Sequence, residues 1–140
     1  MMTETQFAKT LLDVIPPLVR MIRSEIRGAA PGVLTVPQFR ALANISRGLN
    51  TVSEIAEHHG VSQPAMTKMV NGLVKRGLVR RKTNQEDVRQ ILLTLTPKGK
   101  SLHKSTWNTA QKSIGKRLRS IPPKERSPLI QALLTLRSAL

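Results

Sequence analysis

Two helices punctuated back to back leave this chain few folds to choose from. Thr51-Val52-Ser53-Glu54 has the form of a capping box, with a hydroxyl at the cap and a carboxylate three residues on. The short helix it opens is predicted to end near His59, with Gly60 as a left-handed terminator. Ser62-Gln63-Pro64 restarts a helix at once, Ser62 serving as N-cap and Pro64 lying in the first turn. This second helix runs to Arg76 and stops at Gly77. Two helices joined by a tight turn around Gly60-Val61 make a helix-turn-helix pattern.

The next residues change period. Leu78 to Lys82 and Gln90 to Leu95 read as strands, the second alternating Ile91, Leu93 and Leu95 against Gln90 and Thr94, with Leu92 as the exception. Between them lies the polar loop Thr83-Asn84-Gln85-Glu86-Asp87-Val88-Arg89. A β-hairpin placed directly behind a helix-turn-helix is a wing.

Long helical patterns flank this unit. From Thr3 to Arg27, the apolar residues Phe7, Leu11, Leu12, Ile15, Leu18, Val19, Ile22 and Ile26 recur at steps of three and four. Pro16-Pro17 in the middle predicts a kink or a break into two helices. Gly28 to Gly32 is a loop, and Thr35-Val36-Pro37 caps a helix reaching about Ser46. Thr96-Pro97 caps another, extending to about Ser120. Pro122-Pro123 interrupts, and Ser127-Pro128 caps a final helix carrying Leu129, Ile130, Leu133, Leu134, Leu136 and Leu140. That stripe is too apolar for a free tail and calls for cover by the first helix, by a partner subunit, or by both. The expected fold is mainly α. Residues 1–33 form an N-terminal dimerisation helix, 34–96 a winged helix-turn-helix, and 97–140 C-terminal dimerisation helices.

Charge points to the partner. The chain carries 23 Lys and Arg against 8 Asp and Glu, a formal net charge of +15. Such an excess asks for an anionic partner, nucleic acid first and a membrane surface second. No apolar run approaches the ~20 residues a bilayer crossing needs, and the N-terminal residues lack the pattern of a signal peptide. Phe7, Phe39 and Trp107 are the only aromatic residues, too few for the stacking platforms that hold single strands, so double-stranded DNA is the better match. There is no cysteine, which excludes disulfides and thiolate chemistry and favours a cytoplasmic setting.

The second helix of the pair has two unlike faces. At 100° per residue, Met66, Met69, Val70 and Leu73 fall in one inward sector. Pro64, Lys68, Asn71 and Lys75 lie opposite, with Gln63 and Thr67 on the flank nearer the N-terminus. This outward face holds cations, amides and a hydroxyl, and no acid. Asn and Gln can pair bidentately with adenine, Lys can reach guanine O6 and N7, and a hydroxyl serves base or phosphate. The free N–H groups at the helix start, by Ser62, suit a phosphate. An ordinary solvated helix face explains the same residues equally well on this helix alone. The wing adds weight to the first reading: Arg80, Arg81 and Lys82 lead into the hairpin loop, Asn84 lies in it, and Arg89 leaves it, placed to enter a minor groove. Asp87, repelled by phosphate, would instead pair with Arg81 or Arg89 and fix that side chain's direction. From Lys68 to Arg119 there are fourteen Lys and Arg and only two acids, Glu86 and Asp87.

The motifs Leu34-Thr35-Val36-Pro37-Gln38-Phe39, Thr51-Val52-Ser53-Glu54-Ile55-Ala56 and Val61-Ser62-Gln63-Pro64-Ala65-Met66-Thr67-Lys68 now stand in order. They are followed by Leu73-Val74-Lys75-Arg76-Gly77-Leu78-Val79-Arg80-Arg81, Asp87-Val88-Arg89 and Leu95-Thr96-Pro97-Lys98-Gly99-Lys100. In this order and spacing the chain resembles the MarR family of bacterial regulators across nearly its full length. The resemblance implies a homodimer with its first, fifth and sixth helices at the interface, and two recognition helices in successive major grooves of a pseudo-palindromic site. It also implies that Arg89 is the wing-tip minor-groove residue, supported by Asp87. Val88 stands where the family often has a second arginine.

Other residues invite a site. His58 and His59 are adjacent near a helix end, but neighbours on a helix diverge by 100° and no acid cluster accompanies them, so interaction with the helix C-terminus is favoured over a metal. His103 lies four residues before Trp107, on the same helix face. Most such pairs are packing. In a MarR-like fold that helix borders a crevice where the family binds small anionic aromatics, so His103 and Trp107 are candidate contacts for such an effector. No cofactor and no catalytic constellation is expected, and five methionines read as core filling. The leading expectation is a sequence-specific dimeric regulator, acting as a repressor released by a ligand. The rivals are a nonspecific architectural duplex binder and a winged-helix protein-interaction module that does not read DNA.

Overall fold

The computed structural model describes residues 1–140, and its elements begin where side chains cap them. Helix α1 spans Glu4–Ala29, α2 Val36–Ser46, α3 Val52–His59 and α4 Gln63–Lys75. Strands β1 (Val79–Thr83) and β2 (Ile91–Leu95) follow, then α5 (Pro97–Arg117) and α6 (Pro123–Ser138). Thr3 and Thr35 each form a full reciprocal box, with Gln6 and Gln38 returning a bond to the cap N–H. The box expected at Thr51 is only half made: its hydroxyl accepts from Glu54 N at 3.2 Å, but the Glu54 carboxylate does not return to the cap. Ser62 and Thr96 cap α4 and α5 in the same one-way manner.

Two expectations about the helices are corrected. Pro16 and Pro17 lie inside α1 without breaking it. A proline deprives the carbonyl four residues back of its donor, and here those carbonyls belong to Leu12 and Asp13, both on exposed residues that water can reach. Likewise α6 starts at Pro123, with Pro122 at the cap, so Ser127-Pro128 lies within the helix rather than opening it. The apolar stripe of α6 finds no cover within the subunit, which of the expected covers leaves the partner subunit. None of its residues is buried, and Ile130 and Leu133 are 55% and 57% exposed.

The core sits under the helix-turn-helix. Phe39, Leu42 and Ile45 of α2 pack with Ile55 and Ala56 of α3, with Met66, Val70 and Leu73 of α4, and with Leu78, Val79 and Leu93 at the root of the hairpin. Burying a large aliphatic side chain stabilises by roughly 1.5–3 kcal/mol, so this cluster fixes how α3 and α4 are presented. Gly60 sits at φ 68°, the left-handed conformation that lets α3 end and α4 restart two residues later.

Strands β1 and β2 pair antiparallel, Val79 opposite Leu95 and Thr83 opposite Ile91. They start one residue later than expected at Leu78 and Gln90. Of the alternating residues, Leu93 is buried and Leu95 partly so, but Ile91 is exposed. The hairpin projects past the core, so its outer end has nothing to pack against. Its root is held by Leu93 N donating to Asn50 O at 2.7 Å. Helix α5 runs back along α1 and α2, and an ion pair at 2.7 Å joins Arg117 to Glu25 of α1.

Candidate nucleic-acid interface

Helix α4 divides as its sequence requires. Met66, Val70 and Leu73 are completely buried and Met69 is partly so. Ser62, Gln63, Pro64, Thr67, Lys68, Asn71 and Lys75 are all exposed. The apolar sector consumes one side of the helix, and the cations, amides and hydroxyls are left on the other. Gln63 is steadied by donating from Nε2 to Ser53 Oγ of α3 at 3.2 Å, so its carbonyl oxygen stays free.

The hairpin and α4 are joined at their polar faces. The guanidinium of Arg81, on β1, donates to the Oδ1 atom of Asn71. Arg80 and Lys82 are exposed on the same strand. At the tip, Asn84 is engaged internally: its amide donates to Gln90 Oε1 at 2.8 Å and its oxygen accepts from Glu86 N at 3.0 Å. Asp87 chooses Arg89, not Arg81. Its Oδ1 accepts from Arg89 N at 3.1 Å and lies 3.4 Å from Arg89 Nε. This leaves the terminal nitrogens of Arg89, whose side chain is 90% exposed, pointing off the tip without a partner. The exposed surface from α4 to the wing is cationic, and its one ion pair orients an arginine instead of neutralising the patch.

The chain is similar to known regulators in both sequence and shape. Residues 34–90, which contain α2 to α4 and most of the hairpin, match the sequence profile of the MarR family. Over that stretch the chain is similar to the MarR family. Among relatives, the uncharacterised HTH-type transcriptional regulator YfiV of Bacillus subtilis is 28% identical over 108 residues, 76% of this chain and 68% of that protein. HTH-type transcriptional regulator MT0903.1 of Mycobacterium tuberculosis is 25% identical over 130 residues, covering 93% of this chain and 90% of its own. The fold matches a MarR family protein from Bacillus stearothermophilus with a TM-score of 0.79 at 23% identity, over 99% of this chain and 98% of that one. It also matches the transcriptional regulator BldR from Sulfolobus solfataricus with a TM-score of 0.76 at 23% identity, over 99% and 100% of the two chains. Both sequence relatives are described as HTH-type transcriptional regulators, and the fold shared with the two solved structures is a winged helix. No helix in it is long and apolar enough to cross a membrane.

Two histidine clusters lie away from the exposed face of α4. His58 and His59 do not diverge as adjacent helical residues were expected to; both rings meet the buried amide of Asn44 in α2. Asn44 Nδ2 lies 3.4 Å from His58 Nδ1 and 3.0 Å from His59 Nε2. The amide can donate one hydrogen to each ring nitrogen that faces it. Burial, the nearby Arg40 and His58 hold His59 below the ordinary histidine value. A buried asparagine fourteen residues upstream leaves no local signal in the sequence, so periodicity does not find this link.

His103 and Trp107 share a face of α5, with ring centroids 6.1 Å apart and tilted by 49°, and both stack on Phe39 of α2 at 5.2 and 6.4 Å. The Nε2 atom of His103 is buried and has no hydrogen-bond partner. Burial first, and then Arg47, lower its pKa. The two residues line an open cleft of about 320 Å³ together with Ala43, Ser46, Arg47 and Lys104. Nothing in the sequence marks out Arg47 and Lys104; only the packing of α5 on α2 brings them beside the rings.

Proposed function

We propose that this regulator represses transcription as a homodimer, each subunit laying α4 in the major groove of a pseudo-palindromic duplex and its hairpin against the adjacent minor groove. The observation that carries the reading is the split of α4, with Met66, Val70 and Leu73 completely buried and Gln63, Thr67, Lys68, Asn71 and Lys75 exposed on the opposite side. Amides and cations at those positions suit base edges, and Ser62 at the helix start suits a phosphate. Arg89, freed at its terminal nitrogens and aimed by Asp87, suits a narrow minor groove. A second copy of the chain is the occupant best suited to the exposed apolar residues of the terminal helices, among them Phe7, Leu12 and Val14 of α1 and Leu129, Ile130 and Leu133 of α6. The site of action on this reading is DNA in the bacterial cytoplasm.

Selection of bound duplexes by the purified protein at two salt concentrations tests this. The expected result is one consensus with two half-sites about one helical turn, ~10–10.5 bp, apart. Binding without a consensus would favour an architectural duplex binder. No salt-dependent binding at all would favour a protein-interaction module.

The cleft beside His103 favours release by a small anionic aromatic effector. A carboxylate there would meet Arg47 and Lys104, and its ring would lie by Trp107. Calorimetric titration with benzoate, repeated on Arg47→Ala and Trp107→Ala, tests the pocket; equal heats from all three proteins would rule it out.

A further inference from the structure

The C-terminal end of α4 is held to two other parts of the chain by bonds that involve cations the sequence assigns to the basic surface. Arg76 lies just past α4, at its C-cap. Its Nη2 donates to the backbone carbonyl of Val33 at 2.7 Å, in the turn that joins α1 to α2. No other side-chain hydrogen bond links α4 or its cap to α1 or to that turn. At the same end, Lys98 Nζ of α5 donates to the Arg76 carbonyl at 3.2 Å, and Thr96 Oγ1 donates to the Gly77 carbonyl at 2.5 Å. Gly99 closes this second grip, since a Cβ placed there would lie 2.0 Å from Leu78 O.

We propose that Arg76 is a positioning residue: its bond to Val33 sets the angle between the α1 arm and α4, and so the separation of the two reading helices across the dimer. This rests on the dimeric DNA-reading function proposed above. The turn at 30–35 is where the chain passes from α1 into the DNA-binding lobe, so a bond from there to the end of α4 acts across the joint between the two. A planar guanidinium that holds a carbonyl at 2.7 Å has its plane fixed by that bond. Two half-sites lie a fixed helical turn apart, so a loose joint costs affinity by misplacing α4 without deleting any contact to DNA.

Two measurements on full-length protein test the proposal, using Arg76→Ala and Arg76→Met. The second variant keeps an apolar stem over the same surface and removes only the donor and the charge. The chain has no cysteine, so Ser24→Cys on α1 and Gln85→Cys at the wing tip, carried by a few labelled chains diluted in unlabelled protein, report the joint by energy transfer within one subunit. Both Arg76 variants are expected to broaden that distance distribution. An unchanged distribution overturns the proposal whether or not the protein binds DNA.

On the selected duplex, affinity is expected to fall about tenfold, with the slope of log affinity against log salt unchanged. The penalty for one base pair added between half-sites is expected to shrink. A slope lowered by about 0.9 for each copy of Arg76 would make it a phosphate contact and overturn the proposal. If the parent protein binds no duplex, the function proposed above fails, and the energy-transfer result still decides the role of Arg76 in the joint.

Discussion

Arg81 of β1 donates its guanidinium to the side-chain oxygen of Asn71 on α4. This joins the wing to α4 through a side chain proposed above to meet a base edge. It also changes what Asn71 can offer. With one lone pair of Oδ1 engaged by Arg81, the NH2 group and the other lone pair remain for a base edge, and Arg81 fixes the direction in which they point. Asn71→Ala is expected to relax base preference at its position and to cost about 1–3 kcal/mol of binding. Arg81→Ala should do part of the same damage. In a double-mutant cycle the two losses are expected to be less than additive; full additivity would mean that the bond does not operate in the complex.

At the wing tip, Arg89→Ala is expected to weaken binding and to reduce any preference for A·T pairs flanking the half-sites. Asp87→Ala should do less harm, because it only frees the arginine it orients at 3.4 Å. Binding isotherms on duplexes with A·T-rich and G·C-rich flanks separate the two effects. Parental binding by Arg89→Ala on both duplexes would remove the wing from the reading surface.

Gly99→Ala is expected to be disproportionately destabilising for a single methyl group. The added carbon would lie 2.0 Å from the Leu78 carbonyl oxygen, a backbone atom between α4 and β1 that cannot swing aside. Overpacking of this kind costs about 1–3 kcal/mol, read as a lower urea midpoint at unchanged m-value. Gly115→Ala on the same helix, where an added carbon meets nothing, should raise stability slightly.

His59 and His103 are both held below the ordinary histidine value of 6.5, chiefly by burial. The unfolded chain therefore binds protons that the folded chain resists. Their contribution to stability is complete above about pH 6.5 and is lost as pH falls through the folded values. Protonating His59 also sets an N–H donor against the Asn44 amide, 3.0 Å away. Urea melts between pH 7.5 and 5 are expected to show falling stability, with a shallower fall in His59→Gln. Identical pH profiles for parent and variant would remove His59 as a source of that slope.

Local chemistry explains what could be read without coordinates. The caps at Thr35, Ser62 and Thr96, the terminator at Gly60 and the inward trio Met66, Val70 and Leu73 each depend on residues within a turn of one another, and each appears where its neighbours placed it. The errors lie where solvent or a distant strand decides. Pro16 and Pro17 read as a kink or a break and Pro128 as the start of a helix, but water can satisfy the carbonyls that prolines strand on an exposed helix. Ile91 reads as core, but the hairpin carries it beyond the body. Asn44 beneath two histidines, Arg76 on Val33, and Arg47 beside His103 join residues fourteen or more positions apart, and no periodicity carries such pairs.

Helix α6 offers its own subunit no buried residue. Whatever stability it has must come from whatever covers it. In the proposed homodimer, folding of the C-terminus and pairing of subunits are therefore one equilibrium that shifts with protein concentration. Dilution would then unravel the α6 arm before it empties the operator. A cell making few copies would hold a larger share of frayed single chains open to proteases, so the strength of repression would respond to synthesis rate more steeply than one-to-one binding allows.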